Sequence, residues 1–279
     1  MFSYNVIQKD LDIKKQTKAM YGIDSVTPTV CNLMKIQPPK GASAQPITEL
    51  IKASKGKTIK KVLLYAPDAI GEWLFQAHKT EFKDVIAEAP IQIQVQSMRP
   101  SYTPVCYGSM FTGMKPAEHG INKYMKPVLK VETLFDAATK AGKKVALVAV
   151  KDCSIDLIFR EREIDYYTEK YDSEVNTRVL DLLVSSDYDL IVAYNQEYDD
   201  LMHASTPTDP AAIEAFRRHL KAFKTLADAF NKRYGDVNRV IAFLPDHGTH
   251  VDQESGKGSH GTDSPDDMEV RHFWGVHLP

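Results

Sequence analysis

Four largely apolar runs constrain this chain more than any other feature: Ile59–Ala66, Lys144–Val150, Asp189–Tyr194 and Arg239–Leu244. A strand with one wet face alternates apolar and polar residues. A run without alternation predicts a strand buried on both faces, as in a parallel sheet. Segments with helical spacing lie around these runs, over Gly71–Lys79, Val131–Ala141, Ser173–Val184 (Ser173 as N-cap) and Ala211–Tyr234. Ile91–Val95 does alternate and predicts a strand with one open face. Strands alternating with helices predict an α/β fold, a mainly parallel central sheet with helices on both faces. A chain of 279 residues is long enough for one such domain, and residues 1–279 are read as one.

Three aspartates follow these runs. Asp68 closes the first, Asp199 lies just past the third, and Asp246 follows the fourth. In open α/β sheets, ligands bind beyond the carboxyl ends of the strands, so acids placed there can converge. Taken singly, an aspartate after a strand is more often a turn or cap residue. Histidines change that reading. His203 follows Asp199 by four residues, His247 follows Asp246 directly, and His260 stands in His260-Gly261-Thr262-Asp263. Together these side chains suffice to hold two metal ions, the usual device for displacement at phosphorus or sulfur. Mixed histidine and carboxylate ligation suits Zn2+, with Mn2+ as the alternative. The expectation is a metal-dependent hydrolase.

Composition narrows the field by exclusion. A formal net charge of −2 carries no nucleic-acid signal. No apolar run is long enough to span a bilayer, and the first ten residues lack the pattern of a signal peptide. Cys31, Cys106 and Cys153 lack CxxC spacing, so neither a disulfide framework nor a cysteine zinc site is expected. The expected setting is cytoplasmic, with a small-molecule substrate as the partner.

Thr103 stands ten residues before the glycine of a Thr112-Gly113 pair, and Pro116-Ala117-Glu118-His119-Gly120-Ile121 follows. This stretch resembles the nucleophile region of the alkaline phosphatase superfamily, most closely its type I phosphodiesterase/nucleotide pyrophosphatase branch. The other motifs agree in order: Asp68, Asp199 with His203, Asp246-His247-Gly248, then His260-Gly261 ahead of an apolar strand at Phe273–Leu278. The resemblance spans roughly residues 60–279. It implies an alkaline-phosphatase-like fold. It assigns one metal to Asp199, His203 and His260, and a second to Asp68, Asp246, His247 and the Thr103 oxygen. It makes Thr103 the nucleophile, attacking phosphorus in line to give a phosphoenzyme that water then cleaves. Coordination would supply the lowered pKa that a threonine hydroxyl needs for this.

Pro104 is favoured in the first turn of a helix, so Thr103 is expected as the N-cap of a helix running toward Phe111, its positive end facing phosphate. The same proline has no N–H to offer the phosphate, a departure from the family pattern. Asn122 is the leading candidate for that donor, two residues out of the family register. A plain turn residue is its alternative reading. Tyr124 and Arg99 are further candidates for substrate contact. His119 is read as a structural hydrogen-bonder, and His250 matches no ligand position.

The implied activity is hydrolysis of a phosphodiester or pyrophosphate. Alternatives are phosphomonoester or phosphonate hydrolysis at the same site, or a non-catalytic metal-binding relative. A related phosphomutase would need a cap domain, for which no gap between the motifs is long enough. Threonine at the nucleophile position argues against a formylglycine sulfatase. Finally, Ser25–Met34 and the following Pro38-Pro39-Lys40-Gly41 resemble a segment that superfamily members often carry after the last metal histidine. A circular permutation is therefore expected, with residues 20–50 packing beside the final strand.

Overall fold

The structure, a computed structural model, describes residues 21–279. The Lys-rich opening stretch 1–20, read as polar and without periodicity, lies outside the described residues. The chain runs β1 (Tyr21–Gly22), α1 (Val26–Met34), α2 (Thr48–Ala53), β2 (Lys61–Pro67), α3 (Glu72–Ala77), α4 (Lys83–Glu88) and β3 (Ile91–Gln96). It continues with α5 (Thr103–Thr112), α6 (Pro116–His119), α7 (Leu134–Lys140), β4 (Val145–Val150), α8 (Ser154–Ile158), β5 (Asp165–Glu169), α9 (Asp172–Ser185) and β6 (Leu190–Asn195). It closes with α10 (Glu197–Ala204), α11 (Pro210–Arg233), β7 (Arg239–Phe243), β8 (His250–Val251), β9 (Gly258–Ser259), α12 (Pro265–Met268) and β10 (Glu269–His277).

The main sheet has eight strands in the order β1-β3-β10-β7-β2-β6-β4-β5. β10 lies antiparallel between β3 and β7, and every other pairing is parallel. The non-alternating runs take the central places. All residues of β2, β4 and β6 are buried. Each large aliphatic side chain so buried contributes about 1.5–3 kcal/mol, which is why these strands sit inside.

Both faces are covered. Tyr65 points to one face with its cross-strand partner Phe243, where Phe223 of α11 packs edge-on at 5.9 Å and 5.4 Å. The next residue, Ala66, points to the other face with Tyr194, where Tyr107 of α5 packs at 5.6 Å. Behind it Phe111, Phe135 and Phe159 form an aromatic cluster. This is the expected α/β fold.

Several boundaries differ from expectation for local reasons. The sequence of turn-forming residues over 21–47 predicts only a short helix near Cys31–Ile36; the helix begins earlier, at Val26, and ends where Lys35 turns left-handed at φ 58°. Tyr171, not Ser173, precedes α9, because Asp172 turns its carboxylate back to accept from Gln196 and Glu197 N–H. The half-exposed edge strand β5 had no apolar run to announce it. At the other edge, Tyr21–Gly22 pairs with β3, the neighbour of β10, and α2 contacts β10.

Candidate metal centre

The centre lies beyond the carboxyl ends of three adjacent parallel strands, β7, β2 and β6. Asp68 is the first residue after β2, and Asp246 follows β7 by three. After β6 the chain turns into α10, whose first turns carry Asp199 and, four residues on, His203. That spacing puts both side chains on one helix face. His260 arrives on the loop after β9, held at its backbone by Ser101: Gly261 N–H donates to Ser101 Oγ at 3.0 Å.

Two trios result. Asp68, Asp246 and His247 offer ligand atoms that all lie within 4.8 Å of one another, as do Asp199, His203 and His260. The first trio is fully buried, whereas the second includes the exposed His203. The histidines share one arrangement. Nδ1 of His203 faces Gly258 O at 2.9 Å, that of His247 faces Gly248 O at 3.0 Å, and that of His260 faces Ser101 O at 2.8 Å. A carbonyl only accepts, so each Nδ1 carries the proton and each Nε2 presents a lone pair.

Those lone pairs point at carboxylates. His247 Nε2 is 3.3 Å from Asp68 Oδ1 and 3.4 Å from Asp246 Oδ2. Asp199 Oδ1 lies 3.5 Å from His203 Nε2 and 3.6 Å from His260 Nε2. Asp68 Oδ1, Asp199 Oδ1 and Asp246 Oδ2 are buried without a hydrogen-bond donor. Acceptors facing acceptors in a buried site are unfavourable unless a cation stands between them. The ionisation follows the same logic. Burial first, then neighbouring carboxylates, push Asp68, Asp199 and Asp246 well above the usual range. Burial first, then the other imidazoles, lowers His247 well below its ordinary value and His260 to about 4. The donor set, orphaned oxygens and outer carbonyls all fit divalent metal ions.

Thr103 sits against the buried trio. Its Oγ1 is 3.3 Å from Asp68 Oδ2 and 3.3 Å from His247 Nε2. The expected capping role is corrected: Tyr102 is the N-cap of α5 and Thr103 its first residue, with a side chain turned to the site instead of the helix backbone. Two glycines are required here by close approach. A Cβ on Gly248 would collide with the Asp266 carbonyl oxygen. Gly261, at φ +106°, would press a Cβ into the Tyr102 ring.

With this geometry in hand, comparison with known proteins becomes informative. The family model of type I phosphodiesterase/nucleotide pyrophosphatase matches residues 66–256, well over half of the chain. The chain belongs to that family. No match was found among curated proteins. Among solved structures, the chain is similar to phosphonoacetate hydrolase from Sinorhizobium meliloti 1021 in complex with phosphonoformate. The identity is 16% over 71% of this chain and 58% of that one, with a TM-score of 0.52. It is similar to murine ectonucleotide pyrophosphatase/phosphodiesterase 5, in the form of an inactive single-substitution variant in complex with AMP, at 18% identity over 70% and 59%, TM-score 0.55. The human protein of the same description aligns at 14% identity over 78% of this chain and 88% of that one, TM-score 0.59. The chain thus spans under two thirds of the first two structures. These likenesses establish an alkaline-phosphatase-like α/β fold.

Within this family member, a cavity of about 420 Å³ opens over the centre, lined by Asp68, Thr103, Asp199, His203 and His260 among others. Asn122, the expected phosphate donor, is exposed and is not among its lining residues, because the short turn after His119-Gly120-Ile121 points it to solvent. Tyr124, two residues on, does line it. Arg99 lies outside, paired with Asp263 at 3.2 Å. His119 accepts its expected structural role, with Nε2 2.9 Å from Ser109 Oγ. His250 is held by the buried Asp267 at 2.8 Å. Sequence reasoning missed Tyr194, whose hydroxyl donates to Asp68 Oδ2 and leaves Oδ1 free. Its only signal was a phenol inside a wholly buried strand, where the hydroxyl has to find a partner.

Proposed function

We propose that the chain is a two-metal hydrolase of small phosphoesters with Thr103 as its nucleophile. The observation that carries the reading is Thr103 Oγ1 at hydrogen-bond distance from two members of the buried trio, Asp68 and His247. Zn2+ is the favoured ion and would be held by Asp199, His203 and His260 on one side and by Asp68, Asp246, His247 and Thr103 on the other; Mn2+ is the alternative. When bound, two divalent ions supply Lewis acidity toward the attacking and the leaving oxygen. The chain's own residues do the rest. Helix α5 presents the Thr103 hydroxyl at its positive end, which favours a bound anion. Asp68 Oδ2 accepts from that hydroxyl while Tyr194 fixes the carboxylate. The three backbone carbonyls hold each imidazole with Nε2 inward.

Family membership supports diester or pyrophosphate cleavage, and the fold shared with a phosphonate hydrolase supports phosphonate as the second substrate class. The test is hydrolysis of bis-p-nitrophenyl phosphate beside p-nitrophenyl phosphate, by protein reloaded with Zn2+ or Mn2+, with Thr103→Ala as control. Diester preference that vanishes in the variant supports the proposal. Full activity in the variant would eliminate Thr103. The whole chain is proposed as one catalytic domain with residues 20–50 in a permuted position, supported by β1 pairing with β3, the neighbour of β10, and by α2 contacting β10. Moving residues 20–50 behind residue 279 should then preserve cooperative unfolding; its loss would sink the permutation.

A further inference from the structure

The cavity is larger and more polar than a phosphoryl group requires, and its far wall has a charge of its own. Beyond the metal ligands it is lined by Tyr102, Tyr124, Lys126, and Lys151 to Ser154 just past β4. Lys126 and Lys151 are the lysines or arginines on that lining. Neither is paired with a carboxylate among the described residues. Lys126 is placed by two contacts. Its Nζ donates to Asp152 O at 3.1 Å and lies 5.9 Å from the Tyr124 ring centroid. The carbonyl is presented by a left-handed turn at Asp152, φ 60°. One of three ammonium donors is thereby used and two remain. Contact steps tie this lysine to the centre. Tyr124 meets Tyr102 at 5.9 Å, and Tyr102 meets the ligand His260 at 5.7 Å.

The same wall disfavours other occupants. Tyr102 and Tyr124 cross at 76°, so the two rings do not form a parallel-walled slot that would clamp a planar group. An apolar group would need aliphatic walls, and among these lining residues there are none. Of the lining acids outside the trios, Asp200 is engaged by Tyr171 Oη at 2.8 Å and Gln196 Nε2 at 3.1 Å. Asp152 is exposed.

We propose that Lys126 and Lys151 form a second anion subsite, so that this enzyme's substrates are phosphoesters or phosphonates whose far arm carries a carboxylate or phosphate. The inference rests on the hydrolase reading for the position of the reacting phosphorus. Charge-assisted hydrogen bonds to such an arm would be made in the bound state and in the transition state alike, so the preference should appear in KM.

Three p-nitrophenyl diesters with the same leaving group test it, the other arm being propyl, 2-carboxyethyl or 2-phosphoethyl. The expected result is an anionic arm preferred by about tenfold or more in kcat/KM, falling toward parity in Lys126→Met/Lys151→Met. Lys130→Met, remote from the cavity, should keep the wild-type preference. The carboxyl and phosphoryl arms distinguish the two anion classes. A binding measurement runs beside it: calorimetric titration of propylphosphonate against 3-phosphonopropionate on Zn2+-loaded protein. Equal affinity for both in the wild type, or a preference untouched by the double substitution, overturns the subsite. If no diester turns over yet the titration shows a charge preference lost in the double variant, the hydrolase reading fails and the subsite stands. If diesters turn over without charge preference, the reverse holds.

Discussion

The two trios are built from the same residue types and differ in what surrounds them. Asp68, Asp246 and His247 grow directly from the ends of β2 and β7 and have no solvent exposure to speak of. Asp199 and His203 ride on a separate short helix, and His260 on a loop, with His203 side chain 42% exposed. The first trio is part of the core and the second is assembled from its margin. A buried carboxylate without its cation is costly, while a half-exposed imidazole can return to water. The inner ion should therefore act as a structural element as well as a catalytic one, and the outer ion should exchange.

The largest effect should come from the residue that reads the inner trio. Thr103→Ala is expected to lower turnover by on the order of 10³-fold or more while metal content is retained. Metal analysis beside single-turnover kinetics checks this, and metal loss with the activity would recast Thr103 as a structural ligand. Next, His203→Ala should weaken the outer ion by about 100-fold, recoverable with excess Zn2+. Asp246→Ala should show no such recovery, since it leaves Asp68 and His247 without a shared partner. Equal rescue of both would erase the distinction between the trios. Tyr194→Phe is smaller, about 10-fold in inner-ion affinity, because it frees one oxygen of Asp68 without removing a ligand. An unchanged chelator titration would show that the phenol does not matter.

The smallest effect near neutrality concerns histidines outside both trios. Burial lowers His119 to about 4, His219 to about 3 and His272 to about 4. Their native values lie below the unfolded value near 6.5. The unfolded chain therefore takes up protons that the native state refuses, and stability is full above about pH 6.5 and falls as the pH drops toward 4. Urea midpoints of Zn2+-saturated protein at pH 7, 6 and 5 should decline in that order; the chelated protein would add the opposite trend of Asp68, Asp199 and Asp246, whose raised values favour the native state as the pH falls. A flat series would mean that these imidazoles are accessible to protons in the native protein.

Much of this was legible from residue order. Runs such as Val145–Val150 have no polar face, so only a doubly covered strand accommodates them, and the sheet followed. The aspartates after the strands were legible because strand direction dictates where the next residue emerges. Asn122 was not, because the path of an irregular turn decides which of its residues meet the cavity, and no sequence period records that path. Tyr194 and the three carbonyls that orient the imidazoles were invisible for another reason. Gly258 and Ser101 are far from His203 and His260 in sequence, and a backbone carbonyl carries no residue signature.

By itself, then, the sequence determined the α/β class, the central strands and the identities of the acids and histidines that converge, since hydrophobic period and motif order are local properties of a chain. Only the tertiary structure decided how those ligands divide into an inner and an outer trio, which imidazole nitrogen faces inward, and that Lys126 and Lys151 share a wall with Thr103. Those are matters of distance between segments some 20 to 180 residues apart, and distance is set by packing of the sheet and its helices, not by composition.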